Sequence, residues 1–342
     1  MRIAVTGAAG FIGHQLIDHL VLSGHDVTAL LHRAQTNFSH RQGIRTVVGD
    51  ITKPETLAGK FSGCDLVVHL AGCTIARTGT EFDRVNRGGT RAVAQECAAQ
   101  ANPPTLLFVS SLAAAGPAAT LGRTEADPPC PVSDYGHSKR AAEKELHSFA
   151  DQLPIRVVRP PSVFGATDRF MLSLFKTAKS GWVFLPGRES AAYSLIHVQD
   201  LVAAITRVAT ATDQPYLRPN CRDDDLRGPS QANPGVVFLA QDPPMTFPEI
   251  ATIVREVTGG KRVRVISVPK SVCWAIAATN SGLTRLLGVK PLLNCDKMRE
   301  AMAGNWTCDN HRLCQQYGFE FQVSLEERIR QTAWGYREKG WI

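Results

Sequence analysis

The chain has 342 residues, 44% of them hydrophobic and 20% charged, with 20 Pro spread along its length; this excludes a disordered or collagen-like chain and leaves room for two domains, or one large α/β domain with an appended lobe. The formal charge is +7 and the pI about 9.0, but the basic residues are dispersed without interleaved aromatics, so the surplus favours small anionic ligands such as phosphates and no nucleic acid is expected. The longest apolar stretches, such as Val272 to Ala278, fall far short of the ~20 residues that cross a bilayer, so no membrane insertion is expected, and nine scattered Cys without a C-x-x-C pair read as reduced thiols in a cytoplasmic protein.

The chain opens on a strand-like run, Ile3–Thr6, with no signal-peptide core. Thr6-Gly7-Ala8-Ala9-Gly10-Phe11-Ile12-Gly13 follows, three glycines three residues apart, before a helix from Phe11 to Ser23 that stops at Gly24. Glycine permits a tight turn, close approach of a pyrophosphate and close helix–strand packing, while the helix N-terminus offers amide N–H groups and a positive dipole end. Gly7, Gly10, Phe11, Ile12 and Gly13 are therefore candidate dinucleotide contacts, the bland alternative being a glycine turn without a ligand. The second strand, Val27–Leu31, runs into His32-Arg33. An acid there would bind the ribose 2′-hydroxyl of NAD; a permanent cation without an acid favours a 2′-phosphate and hence NADP(H), with NAD still possible and Arg33 otherwise a solvated loop residue.

The third strand, Thr46–Val48, leads into Gly49-Asp50-Ile51, where the Asp50 carboxylate could accept a hydrogen bond from an adenine amino group. The fourth, Leu66–Leu70, ends in His69-Leu70-Ala71-Gly72, whose small residues let a cofactor lie against the sheet edge. A helix over Glu81–Gln100, a fifth strand Leu106–Ser110, a helix over Tyr135–Gln152 and a sixth strand Ile155–Arg159 complete an alternation that implies an α/β fold with a doubly wound parallel sheet. After Arg159 the rhythm loosens. Residues 211–235, with several Pro, Asn and Gly and the triplet Asp223-Asp224-Asp225, read as a long exposed loop. Thr246-x-x-Glu249 and Ser324-x-x-Glu327 are capping-box signals for helices starting near Pro248 and Leu325, in a smaller lobe expected over the sheet's carboxyl edge.

Tyr135-Gly136-His137-Ser138-Lys139 places a phenol and an ammonium four residues apart, on one helix face, 24 residues after the strand-end Ser111. A tyrosine is a poor base at neutral pH, but a fixed cation lowers its pKa and lets it exchange a proton with an alcohol or ketone oxygen. Lys139 would also hold ribose hydroxyls, and Ser111 would position the substrate oxygen. Cys308-x-x-His311-x-x-Cys314 lacks an obvious fourth ligand, so it reads as a helix face and no metal is expected.

Taken together, the glycine loop, Gly49-Asp50, His69-Leu70-Ala71-Gly72, Val85-Asn86-x-x-Gly89-Thr90, Ser110-Ser111, Tyr135 with Lys139, Arg159-Pro160-x-x-Val163-Phe164-Gly165 and His197-Val198-x-Asp200-Leu201 resemble the extended short-chain dehydrogenase/reductases, also called the NAD-dependent epimerase/dehydratase family. The resemblance covers about the first 210 residues. It implies a Rossmann fold with a smaller C-terminal α/β substrate lobe, the roles given above for Ser111, Tyr135 and Lys139, and nicotinamide contacts near Pro160 and Val163. It divides the chain into a nucleotide domain over 1–165, with 190–210 returning to it, and a substrate lobe over 166–189 and 211–342. It also implies a homodimer, through a bundle of the helices at Glu81–Gln100 and Tyr135–Gln152 whose Ala92, Ala94, Ala98, Ala141 and Ala142 would permit close approach.

Departures from the family pattern narrow the activity. Sugar-nucleotide dehydratases carry an Asp-Glu pair where this chain has Leu112-Ala113, and epimerases often carry an Arg in a segment that here reads Tyr193-Ser194-Leu195-Ile196-His197-Val198. Both point to members resembling dihydroflavonol reductases and 3β-hydroxysteroid dehydrogenases, which exchange hydride with a ketone or secondary alcohol. Val272–Ala278 with Leu283, Leu286 and Leu287 would suit an apolar substrate, or else core or dimer packing. Two alternatives stay open: a nucleotide-sugar epimerase or reductase whose diphosphate meets Arg169, Lys176 or Arg188, and a non-catalytic NADPH-binding sensor or scaffold. His197 and Asp200 read either as catalytic neighbours or as a helix-start pair that anchors the lobe.

Overall fold

A computed structural model describes residues 1–33, 43–119, 122–169, 171–186, 190–218, 234–260, 262–287 and 294–342. Asp223-Asp224-Asp225, Arg188 and the side chains of Leu283, Leu286 and Leu287 lie outside the described residues. Each β-branched run forms a strand within two residues of its expected bounds: β1 (Arg2–Thr6), β2 (Asp26–Leu31), β3 (Ile44–Val48), β4 (Leu66–His69), β5 (Thr105–Val109) and β6 (Ile155–Arg159). Between them lie α1 (Phe11–Leu22), α2 (Gly79–Phe82), α3 (Gly89–Ala98), α4 (Leu112–Ala115) and α5 (Asp134–His147). Then come β7 (Ser162–Phe164), α6 (Leu172–Ser180), β8 (Trp182–Pro186), β9 (Ala192–His197) and α7 (Val198–Thr210). The remaining elements are β10 (Val236–Phe238), β11 (Gln241–Thr246), α8 (Phe247–Val257), β12 (Arg264–Val268), α9 (Lys270–Leu287), α10 (Cys295–Met302) and α11 (Leu325–Glu338).

Seven strands form one parallel sheet in the order β10-β6-β5-β4-β1-β2-β3. The order reverses between β1 and β4, and in a doubly wound sheet that switch point opens a crevice at the carboxyl ends of the strands. Both faces are covered. Leu16 and Ile17 of α1 pack with Leu201 and Ile205 of α7 on one side, against Ile3 and Val5. Val93 and Cys97 of α3 pack with Ala142 and Leu146 of α5 on the other, against Val67 and Phe108. Each fully buried aliphatic contributes roughly 1.5–3 kcal/mol, which makes this sheet the rigid platform for its loops. A third core, from Phe164, Phe175, Val254, Ile329 and Tyr336, sits in the lobe beside the small sheet β11-β9-β7.

Several expectations need correction. The helix expected over Glu81–Gln100 starts at Gly79 and ends at Ala98, and it passes without a break through a π-helical stretch, Asp83–Gly88, after which Gly89 lets Ile51 pack against it. The helix expected over Tyr135–Gln152 starts at Asp134, capped by Ser133, and ends at His147; Phe149 and Leu153 still pack on the core from a turn, so their spacing imitates further helix. Val236–Phe238 falls in the stretch assigned to the lobe, yet it pairs with β6, and Leu313 and Tyr317 also join the core of the nucleotide-binding sheet. A three-residue strand is too short to announce itself by periodicity. Of the alanines named for a helix bundle, Ala92, Ala94 and Ala142 are buried within the chain and Ala98 and Ala141 are half-buried, while Arg87 donates to Glu145 at 2.7 Å. Cys308 is buried whereas His311 is exposed, and among the described residues no cluster of His, Cys, Asp and Glu is placed to hold a metal ion. Among the described residues no helix is long and apolar enough to cross a membrane.

Candidate active site

The glycine loop is shaped by close approach. Gly7 has φ +70°, and a Cβ there would lie 2.7 Å from the Ala71 nitrogen; one at Gly13 would lie 2.2 Å from the Gly7 carbonyl oxygen. The loop is therefore pressed both on the end of β4 and under α1, and no side chain larger than hydrogen fits at either point. Gly10 stands at the N-cap of α1 without a side-chain cap, and the first turn carries no acid. The helix start, with Gly10 exposed and Phe11 and Ile12 half-buried, is left to an anion, so the chemistry of a dinucleotide pyrophosphate fits these residues.

Around this cradle, His32 and Arg33 are exposed at the end of β2. His32 Nε2 lies 3.2 Å from Asp50 Oδ2, and Asp50 Oδ1 accepts from the Thr52 N–H at 2.9 Å and the Thr52 hydroxyl at 2.8 Å. Burial raises the Asp50 pKa, but the Thr52 and His32 contacts outweigh it and hold the carboxyl below its ordinary value. Ile51 is buried beneath Gly89, where a Cβ would lie 2.5 Å from Ile51 Cδ1.

A polar chain crosses from the loop to α5. The Ala71 N–H donates to Thr6 Oγ1 at 3.1 Å, Thr6 Oγ1 lies 2.7 Å from His69 Nδ1, and His69 Nε2 lies 3.1 Å from Thr90 Oγ1, which donates to the Asn86 carbonyl at 2.6 Å. Total burial lowers the His69 pKa to about 3, so the ring is neutral. With the Thr90 hydroxyl committed to Asn86, Nε2 donates to Thr90 and Nδ1 accepts from Thr6. The Asn86 amide donates to the Cys73 carbonyl and to Ser138 Oγ, and Ser138 donates to the Tyr135 carbonyl at 2.8 Å. Leu70, Ala71 and Gly72 thus lie at the crevice in fixed register with the tyrosine, and a Cβ on Gly72 would lie 3.8 Å from Lys139 Nζ.

Ser111 caps α4, its Oγ accepting from the Ala113 N–H at 3.1 Å, and it lies near enough to the Tyr135 phenol to work against the rise of the phenol's pKa. Gly136 permits that meeting: a Cβ there would lie 2.4 Å from the Ala113 carbonyl oxygen, so α4 and α5 pack backbone to backbone. Lys139 Nζ donates to the Val109 carbonyl at 2.7 Å and sits 4.4 Å from the Phe108 ring centroid. Burial lowers the Lys139 pKa to about 8, with the Glu143 carboxylate opposing. The tyrosine departs from the expected lowering. Burial pushes its pKa well up, the Ser111 hydroxyl pulls it back, and Glu300 adds to the rise, leaving a neutral phenol. The ammonium is spent on a backbone carbonyl, so desolvation wins.

Two supports have no local sequence signal. Buried Glu143 accepts from Ser110 Oγ at 2.6 Å, from Arg159 Nε at 2.8 Å and NH2 at 2.6 Å, and from Arg140 at 3.0 Å, tying α5 to β5 and β6; these contacts overcome its burial and lower its pKa to about 2. From the lobe, Asp296 of α10 accepts from the backbone N–H of Asp134 at 2.6 Å and of Tyr135 at 3.3 Å. Glu300 accepts from Ser133 at 2.6 Å, and Lys297 Nζ stands 4.8 Å from the Tyr135 ring centroid. Pro160, whose carbonyl accepts from the Leu112 N–H at 2.8 Å, and half-buried Val163 follow β6 at the carboxyl edge. His197 Nδ1 accepts from the Gln199 N–H at 3.3 Å, and Asp200 receives Arg328 of α11 at 2.6 and 2.7 Å, so the pair anchors the lobe. Arg169 stacks near Trp341, and Lys176 lies on α6.

Comparison with known proteins agrees with this architecture. The chain is 28% identical to a ceramide reductase of Caulobacter vibrioides, over 99% of this chain and 96% of that protein. It is 24% identical to a 2-alkyl-3-oxoalkanoate reductase of Shewanella oneidensis, over 95% and 84%. Its fold matches the structure of MoeE5 in complex with UDP-glucuronic acid and NAD, with TM-score 0.74 and 22% identity over 99% of this chain and 100% of that one. Residues 3–217 match the NAD dependent epimerase/dehydratase family. The chain belongs to that family, the extended short-chain dehydrogenase/reductases, and is an NAD(P)-dependent enzyme.

Proposed function

We propose that this enzyme is an NADP(H)-dependent reductase of a ketone carried on a lipophilic molecule, with Tyr135 as proton donor, Ser111 as the group that positions the carbonyl oxygen, and Lys139 as the cation that holds ribose hydroxyls. The observation that carries it is geometric: Tyr135 lies in the first turn of α5, which packs backbone to backbone on the α4 that Ser111 caps at the carboxyl end of β5, and it stands one helical turn from the buried Lys139 ammonium. A phenol that stays protonated at neutral pH can give its proton to a developing alkoxide. Bound at the glycine loop, a reduced nicotinamide dinucleotide would supply the hydride. The helix start at Gly10, Phe11 and Ile12 would hold its pyrophosphate, and exposed Arg33 its 2′-phosphate. Asp50 would face the adenine, Leu70, Ala71 and Gly72 would line the sheet edge, and Pro160 and Val163 would flank the nicotinamide.

Leu112-Ala113 in place of an acid–base pair argues against dehydration. The reductases similar to this chain, named for ceramide and for a 2-alkyl-3-oxoalkanoate, support a long-chain ketone. We assign nucleotide binding to 1–165 with 190–210 and the strand 236–238, and substrate selection to the rest, in a cytoplasmic homodimer. The test is NADPH oxidation with a panel of long-chain 3-oxo lipids, steroids and UDP-sugars. Wild type consumes NADPH with an apolar ketone, and Tyr135→Phe loses about 10²–10⁴-fold of turnover while still binding NADPH. Turnover surviving in Tyr135→Phe, or tight binding of UDP-sugars without ketone reduction, overturns the proposal.

A further inference from the structure

The geometry points to a second function of the lobe: the ribbon β8–β12 and helix α9 form a docking face for an anionic lipid bilayer, on which the enzyme lies without spanning it. This rests on the lipophilic substrate proposed above. In β8, Val183 and Leu185 turn inward to the lobe core while Trp182 and Phe184 stand outward, 39% and 55% exposed. Across the ribbon, Arg264 pairs with Trp182 and Ile266 with Phe184, and the Arg264 guanidinium lies 5.1 Å from the Trp182 ring. A strand face turned to water is ordinarily polar; this one presents an aromatic–aliphatic pair beside an aromatic–cation pair.

Helix α9, which follows β12 after Pro269, inverts the usual arrangement. It buries the small Cys273 and Ala277 against Met298 of α10, and exposes Val272, Trp274 and Ile276 by 46%, 38% and 46%. Trp274 and Ile276 flank the buried Cys273–Ala277 stripe on its two sides, so large apolar side chains are left in water along both borders of the contact with α10.

Charge identifies the occupant. The whole chain has 38 cations to 31 acids, but between Glu256 and Asp296 there is no Asp or Glu, and among the described side chains there Arg262, Arg264 and Lys270 are exposed cations. The stretch between Asp168 and Glu189 that contains β8 also carries Lys176 and Lys179 without an acid. Exposed cations beside an exposed tryptophan, as Arg264 is beside Trp182, match phosphate headgroups over acyl chains. The face is also close to the chemistry. Helix α9 packs on α10, whose Lys297 lies over the Tyr135 ring, so a docked enzyme has one helix between the lipid and the candidate active site.

Vesicle co-sedimentation and tryptophan emission test the assignment. Wild type should sediment with mixed phosphatidylcholine–phosphatidylglycerol vesicles with a blue-shifted emission, be released by high salt, and bind pure phosphatidylcholine weakly. Removing two cations in Arg264→Gln/Lys270→Gln should weaken binding to mixed vesicles about 30-fold, from a factor of about 5 for each. Phe184→Ser, a single change at the exposed edge, and Trp274→Ser/Ile276→Ser should each weaken it with NADPH binding unchanged. Absence of vesicle binding by wild type, equal binding by all variants, or a change in oligomeric mass of Trp274→Ser/Ile276→Ser without lipid overturns the proposal; the last result would give the face to a second copy. Reduction of a short, water-soluble ketone in the same preparations separates the two readings. If that persists without vesicle binding, only docking fails; if vesicles bind and no ketone is reduced, the reductase assignment fails.

Discussion

Replacing Glu143 by Gln removes one negative charge from the centre of a buried cluster without changing its size. Two guanidiniums, Arg159 and Arg140, then lose their counter-charge, and an amide N–H₂ takes the place of one acceptor oxygen facing Arg159 or Arg140. Breaking one side of a buried ion pair costs about 3–5 kcal/mol, and the isosteric amide should fall near the lower figure because Ser110 and one guanidinium keep a partner. The sign of the pH dependence follows from the lowered carboxyl. Glu143 is held near 2 against an ordinary 4.5, so its contribution is complete above the unfolded value and disappears as pH falls from there toward 2. Denaturant melts should therefore show the widest gap between wild type and Glu143→Gln at neutral pH, narrowing in acid. The same change removes the carboxylate that supports the Lys139 charge. Side chains one turn apart at an effective dielectric of about 20 interact by nearly 3 kcal/mol, and the neighbouring guanidiniums, present in both proteins, drop out of the difference, so the basic limb of kcat/KM, set near pH 8 by Lys139, should move by up to about two pH units toward acid. A variant that is destabilised while its basic limb stays in place would refute the electrostatic part of this reasoning.

Other outcomes follow from the same geometry. Ser111→Ala should lower kcat about 10²-fold with little change in NADPH affinity by fluorescence titration, since it removes a donor to the reacting oxygen. Asp296→Ala leaves the start of α5 without its carboxylate and should cost about 1 kcal/mol of stability; if α10 positions Tyr135, kcat falls while the NADPH dissociation constant holds, and an unchanged kcat refutes it. Arg33→Glu should raise the KM for NADPH by at least about 10-fold and spare NADH, checked by initial rates with each coenzyme; equal effects on both would remove Arg33 from the 2′-phosphate site.

The nucleotide half was readable because its signals are local. The glycines at 7, 10 and 13 meet backbone within one βα turn and the end of β4, and the six strands announced themselves as runs of Val, Ile and Leu. Ser111, Tyr135 and Lys139 stood out by their spacing, and α4 and α5, which carry or follow them, pack backbone to backbone at Gly136. Spacing could not tell where the Lys139 charge is spent: its ammonium bonds to the Val109 carbonyl, a partner fixed by tertiary packing. Asp296, Lys297 and Glu300 were invisible for a stronger reason. They meet α5 across a sequence separation of 162 residues in the case of Asp296 and Asp134, and an acidic helix start reads as ordinary capping. The large apolar residues of α9 misled in the opposite sense, since helical spacing suggests a buried stripe while Val272, Trp274 and Ile276 face outward.

The helix carrying the phenol has two landlords. Its middle is riveted to the sheet by Glu143, whereas its first backbone amides belong to Asp296, part of the segment to which we assign substrate selection. Exchanging lobes between relatives to obtain a new specificity would therefore replace part of the acid's own mounting. A graft at this boundary has to bring along a carboxylate at the position of Asp296, or the transplanted pocket will receive its ligand beside a proton donor that has drifted.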